Sequence, residues 1–288
     1  MPNTQALKSR IRTVKSTKQI TKAMQLVAAS KMRKAQEATK ASAPYADAAR
    51  QILANLAVHS SVKGHPLFAK RTVKKRLMIV IASDRGLAGA FNSNLTRLYA
   101  QELIVDRKDG IKNSTITIGR KAAQFVARLK DTEVLGSYEN LPDRPGGSEL
   151  HAVLDTALEL FTEGTVDAVD LIFTDYVNSV VQKAIVQRVL PAGTGDFEPA
   201  AEQDVTYEPD VEEVLNGVAS RLVGAQLFQA LLDSRASEYS MRMMAMKSAT
   251  DNATDLIDDL TLEMNKVRQS AITQELAEIS GGVEALND

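Results

Sequence analysis

From Leu215, steps of alternately three and four residues land on Leu215, Val218, Leu222 and Ala225, and stay in phase through Ile257, Leu260, Met264 and Val267 to Ala271. Gln229 and Thr250 are the polar members of the series, and no proline interrupts it. An ordinary helix drifts out of a 3.5-residue period within a few turns, so about eight heptads in register predict a coiled-coil strand. At 1.5 Å per residue the pattern is roughly 85 Å long, where globular helices average three to four turns. A strand of this kind cannot bury its seam alone. It needs a partner of comparable reach.

The other end of the chain supplies one. Residues 3–58 contain no glycine and a single internal proline, Pro44, which is expected to kink the helix or begin a new one. Leu7, Ile11 and Val14 open a narrow apolar stripe that continues through Ile20, Met24 and Val27 to Ala28, Met32 and Ala35. Between Lys8 and Lys40 stand ten bases against one acid, Glu37, whereas the C-terminal strand carries Asp251, Asp255, Asp258, Asp259 and Glu263. Opposite flanks favour pairing of the two ends. With a folded segment between them, an antiparallel intramolecular coiled coil is the simplest topology.

That intervening segment changes period. LMIVIA (77–82), TITIG (115–119), EVLG (133–136) and VDLIFTDY (169–176) read as strands, separated by helical patterns at 92–107, 120–130 and 148–163. Continuous apolar strands alternating with helices predict a mainly parallel sheet covered on both faces. VVQKAIVQRVLP (180–191) is expected to close the sheet as an antiparallel strand. The fold class is therefore α/β: a coiled-coil helix over 1–58, an inserted α/β domain over 76–190, and a second coiled-coil helix over 210–288 that pairs with the first.

Chemistry is sparse. There is no cysteine, which excludes disulfides and thiolate metal sites, and the histidines at 59, 65 and 151 have no ligand spacing. SDRGLAGAFN (83–92) sits where nucleotide loops sit, yet it has neither the G-x-G-x-x-G spacing nor a Gly-Lys-Ser/Thr. A tight strand-to-helix turn is expected there, and no cofactor. Asp258 and Asp259 point about 100° apart on a helix and form no acid–base pair. In MRMMAMK (241–247) the seam uses Met243 and Met246, leaving Met241 and Met244 to pack elsewhere or to touch a second protein. The basic helix has a nucleic-acid reading, but residues 1–44 hold no aromatic for base stacking and the formal net charge is −1. No apolar run approaches a bilayer span, and the start MPNTQALKSR lacks the apolar core of a signal peptide. An intracellular protein that does not itself cross a membrane is expected.

RIRTVKSTKQITKAMQLVAASKMRKAQ (10–36), SDRGLAGAFN (83–92) and SEYSMRMMAMKSATDNATDLIDDLTLEMNKVRQSAITQELAEISGG (237–282) closely resemble the gamma subunit of F-type ATP synthases. The resemblance covers both ends and the middle, in order. It departs at Ala88, where many relatives carry Cys, and the inserted cysteine pair of chloroplast members is missing. It implies a central rotor shaft within a ring of three alpha and three beta subunits. It also implies a foot on the epsilon subunit and the c ring, at the cytoplasmic face of the membrane, with catalysis left to beta. By motif, Met24, Arg242, Arg268, Gln269 and Thr273 are expected to contact alpha and beta, and Tyr207 and Glu208 to belong to the foot that meets the c ring. The resemblance implies no cofactor, metal or nucleic acid.

Overall fold

The computed structural model describes residues 4–58, 65–129, 132–142, 150–194 and 211–287. The chain forms two compact units, one of Met1–Ala28 with Met243–Asp288, the other of Ala29–Arg242. Both terminal helices contribute to each unit: α1 is Thr4–Val58 and α5 is Val211–Asn287.

In the first unit α1 and α5 pack side by side. Leu7, Ile11 and Leu260 are buried together, flanked by Val14, Ile257, Met264 and Val267. Further along, Thr250 Oγ1 and Thr21 Oγ1 are 2.9 Å apart and both side chains are buried. The earlier residue of α1 meets the later residue of α5 each time, so the pair is antiparallel. Along α5 the covered positions are the predicted heptad ones, Met246, Thr250, Ala253 and Leu260, and coverage ends at Val267, leaving Ala271 exposed.

Two expectations for α1 need correction. Ile20 and Val27 are each 58% exposed, while Thr21 and Ala28 are buried. The seam keeps strict steps of three and four from Leu7 through Ile11, Val14, Lys18, Thr21, Gln25 and Ala28. Ile20 and Val27 lie one residue, about 100°, off it. Apolar character alone misplaced the stripe. The polar pair Thr21–Thr250 holds the register instead, as single polar seam positions do at some cost in stability. Nor do the opposite charges clasp the helices. Lys8, Arg10, Arg12, Lys15 and Lys22 of α1 and Asp251, Asp255, Asp258 and Asp259 of α5 are exposed. Among the described residues no ion pair joins the two sets.

The second unit is built on a five-stranded sheet in the order β3-β2-β1-β4-β5. Its strands are β1 (Lys75–Ile81), β2 (Lys112–Ile118), β3 (Glu133–Tyr138), β4 (Ala168–Tyr176) and β5 (Gln182–Leu190). The first four are parallel neighbours, and β5 runs antiparallel to β4. Helices α2 (Phe91–Lys108), α3 (Arg120–Val126) and α4 (His151–Thr162) connect them. Alternate residues of β1 serve two cores. Leu77, Ile79 and Ile81 pack with Phe161 of α4, Leu53 of α1 and Leu222 and Leu231 of α5. Met78 and Val80 pack with Leu95 and Tyr99 of α2 and Val126 of α3. Each such side chain, fully buried, contributes about 1.5–3 kcal/mol. The continuous apolar runs of β1 and β4 are thus explained by cover on both sides.

Pro44 neither ends α1 nor starts another helix; the helix runs through it. Its ring removes one backbone donor, but Ala46, Ala49 and Leu53 on the following turns are buried against the domain. Packing outweighs the local break, which in isolation costs about 3 kcal/mol.

One buried polar cluster fixes the sheet to α2. Arg76 of β1 bonds Asp170 of β4, and its Nη1 donates to Glu102 Oε2 at 2.8 Å and to both oxygens of Asp106 at 3.1 Å. Arg188 of β5 grips Asp170 through two bonds of 2.8 and 2.9 Å. Burial opposes the Arg76 charge, yet Asp170, Glu102 and Asp106 outweigh it and hold the guanidinium protonated. Burial also raises the Asp106 carboxyl above its usual range, even beside Arg76. The cluster therefore does more to fix geometry than to supply net stability.

Candidate functional site

In open α/β sheets, ligands enter the crevice beyond the carboxyl ends of the strands, where the strand order reverses. Here the reversal falls between β1 and β4. Helix α5 fills that crevice with small polar side chains. Ser234 Oγ accepts from Thr174 N at 3.1 Å, Ser237 Oγ donates to Thr174 O at 3.3 Å, and Ser240 Oγ donates to Ser179 O at 2.8 Å. On the β1 side Arg242 Nη2 donates to Arg85 O at 3.1 Å and Gly86 O at 3.3 Å, while Nη1 donates to Glu238 Oε1 at 2.7 Å.

SDRGLAGAFN is therefore the tight turn the sequence predicted, and its backbone is turned toward α5. Leu87 and Gly89 have φ of 62° and 57°. Asp84 Oδ1 accepts from Arg120 N and Asn140 N, each at 3.1 Å, which joins the turn to the crests of β2 and β3. Gly119 ends β2 with φ +94°, and a β-carbon there would stand 2.2 Å from Ala82 O, so only glycine fits. Ala88 is buried, as a Cys in its place would be.

The predicted contact residues distribute unevenly. Met24 is half-buried in the first unit, whereas Arg268, Gln269 and Thr273 stand on an exposed stretch of α5. Gln269 and Thr273 share a face, with Thr273 Oγ1 donating to Gln269 O at 3.0 Å. From the Thr21–Thr250 pairing, Met24 and Gln269 lie roughly 30 Å apart along the helices. Arg242 is buried at 9% exposure, and the hydrogen bonds and ring contact described for it, including the Tyr239 ring at 5.9 Å, lie within the second unit. Tyr207 and Glu208 lie outside the described residues. His65 caps a short 3₁₀ turn, its Nδ1 accepting from Leu67 N, and His151 is exposed at the start of α4. Met246 is buried and Met244 is 42% exposed.

Sequence reasoning missed the polar underside of α5. The Glu238–Arg242 spacing of four residues was a visible signal; nothing local marked Ser234, Ser237 and Ser240 as sheet contacts. It also missed the uncovered apolar residues of the first unit: Leu26 at 61%, Leu276 at 60% and Ile279 at 64% exposure, besides Ile20 and Val27. Among the described residues no helix is long and apolar enough to cross a membrane, and no carboxylate or histidine cluster suits a metal.

Comparison with known proteins agrees with this architecture along its length. The ATP synthase family model matches residues 3–286. The ATP synthase gamma chain of Stenotrophomonas maltophilia is 42% identical over 288 residues, covering 99% of this chain and 100% of its own. That of Chloroflexus aurantiacus is 40% identical, covering 99% of each. A chain of the central stalk and c-ring structure of Tetrahymena thermophila mitochondrial ATP synthase superposes with a TM-score of 0.61 at 25% identity, over 80% of this chain and 99% of that one. A chain of the Euglena gracilis mitochondrial enzyme reaches 0.69 at 20% identity, over 98% and 94%, a likeness of fold alone. The chain belongs to the ATP synthase gamma chain family.

Proposed function

We propose that this chain is the central shaft of a rotary ATP synthase, transmitting torque between an ion-driven c ring and an alpha–beta head, with the reacting groups supplied by beta. The observation that carries this reading is the surface of the first unit. Its two helices are joined by a seam one heptad stripe wide, yet they leave a run of bases and the apolar residues Ile20, Leu26, Val27, Leu276 and Ile279 uncovered. Exposed apolar patches on a stable element mark interaction surfaces. Lys8, Arg10, Arg12, Lys15 and Lys22 are exposed and make no ion pair with α5 among the described residues, and they suit acidic loops on the rim of the head.

A shaft acts on beta only through contacts that differ between beta conformations, because a ligand shifts an equilibrium by its differential affinity. Met24, half-buried at the edge of the seam, is assigned to one such contact with beta, and Gln269 and Thr273 on their shared face to another. Arg242 is assigned an indirect part, holding the 83–90 turn from within the chain. Tyr207 and Glu208 are assigned to the foot on the c ring and epsilon. Attachment to the membrane is then peripheral, through the c ring, at its cytoplasmic face.

The test is co-purification: tagged full-length chain should bring alpha and beta with it from the source cell, and recovery without them would refute the assignment. Two substitutions probe the contacts. Met24→Lys is expected to leave ATP hydrolysis running while reducing the proton gradient formed per ATP in membrane vesicles; an unchanged gradient removes Met24 from the coupling contact. Replacing both Gln269 and Thr273 with Ala is expected to impair assembly or turnover. Normal growth on a non-fermentable carbon source would count against that second contact.

A further inference from the structure

Between α1, α5 and the β4–β5 hairpin the second unit holds an open cleft of about 500 Å³. Its wall carries Thr39 from α1, Asp175 from β4, and Gln229 and Asp233 from α5. Gln229 and Asp233 lie one turn apart and are 7% and 8% exposed. Gln229 Nε2 donates to Asp233 Oδ1 at 3.0 Å, yet Oε1 of the same amide is buried without a donor. A buried amide oxygen left in that state is costly. An ionised carboxylate beside it has no proton to give. A protonated one has, and an acid and a primary amide can pair through two bonds, N–H to the acid oxygen and O–H to the amide oxygen. The first of those bonds is in place.

We propose that Asp233 is a proton-binding site, at which the protonated carboxyl and the Gln229 amide close a two-bond ring in the wall of this cleft. The surrounding charges are mixed. Asp175 on β4 and Asp47 on α1 oppose ionisation of Asp233, while Arg50 on α1, paired with Asp47, favours it; Lys40 of α1 also lines the cleft. Tyr176 accepts a bond from Gln36. On β5, Gln187 is engaged with Gln226 at 2.9 Å, and Lys183, opposite Asp175 in register, makes no ion pair with it among the described residues. Burial and then Asp175 push the Asp233 carboxyl up from 3.8 to about 7, against the Gln229 bond and Arg50. The proton is thus exchanged near neutrality.

The folded chain binds this proton more tightly than the unfolded chain does. Its contribution to stability is full below the unfolded value near 3.8, falls as pH rises, and is gone above about 7. Carboxylates that gain stabilising partners on folding give the opposite slope.

Infrared titration of the full-length chain tests the site. One carboxyl should titrate near neutrality, vanish in Asp233→Asn, and move down by about one pH unit in Asp175→Asn, where a like charge is removed. Gln229→Leu separates the ring from a simple bond to the anion: loss of the ring lowers the midpoint, whereas loss of an anion-stabilising donor raises it. The melting temperature should decline toward pH 7 in the native chain and lose that component in Asp233→Asn. The proposal is overturned if no carboxyl titrates above about pH 5.5, if the titration persists in Asp233→Asn, or if Gln229→Leu raises the midpoint. Should Asp233→Asn fail to fold, the native titration and the Asp175→Asn shift still decide the matter.

Discussion

Arg76→Met is expected to cost the second unit about 3–5 kcal/mol, the usual penalty for removing one partner of a buried ion pair. The substitution keeps most of the side-chain volume, so the loss is electrostatic. Asp170 retains Arg188. Asp106, at 3% exposure, is left with no ion pair among the described residues, and Glu102 loses the bond that drew it inward. Total stabilities are about 5–15 kcal/mol, so the variant should accumulate poorly and unfold at markedly lower urea. Adding Asp106→Leu should recover a large part of the loss, because the orphaned charge causes it. A shift in the urea midpoint worth less than about 1 kcal/mol would mean that water reaches the cluster and screens it.

Arg242→Ala is expected to have the next largest effect, again about 3–5 kcal/mol. Here the orphan is Glu238, at 5% exposure, whose bond to Arg242 is the ion pair found for it among the described residues. The same change frees Arg85 O and Gly86 O, so the 83–90 turn loses its tie to α5. That turn includes Leu87 in the left-handed region, a conformation costing about 1–2 kcal/mol for a residue with a side chain. Without the guanidinium it should relax. Amide exchange across 84–90 should quicken more than exchange in β1, and Arg242→Lys should rescue little, because one ammonium cannot span a carboxylate and two carbonyls. Uniformly faster exchange throughout the unit would indicate a general loss of stability and no specific role for the clamp.

The elements most readily read from the sequence were those whose burial repeats simply. The strands at 77–82, 115–119 and 169–176 are buried on both faces and mostly apolar, with Thr115, Thr117, Asp170 and Thr174 as buried polar exceptions, and they appear within a few residues of the expected limits. The α5 seam was readable from Met246 to Val267 for the same reason, whereas from Leu222 to Ser240 nearly every side chain is buried in the second unit, so the 3.5-residue pattern does not mark a two-helix seam there. The reading of α1 slipped at Ile20 and Val27 because its seam is made of Thr, Gln, Ala and Lys as much as of apolar residues. A narrow antiparallel contact accepts small and long-stemmed side chains, so hydrophobicity there is a poor guide. At Pro44 the helix continues rather than starting anew, because the turns that follow it are buried.

The amino-acid order by itself determined that two long helices would flank a mainly parallel sheet, because the 3.5-residue and continuous apolar periods leave few other ways to bury the chain's apolar surface. It also carried the family motifs. Only the tertiary structure decided that α5 closes the strand-end crevice, that Thr21 meets Thr250, that Arg242 turns inward, and that Gln229 and Asp233 share one cleft. Those contacts depend on side chains brought together from distant positions, and their energies come from burial and hydrogen bonding that no local window of sequence contains.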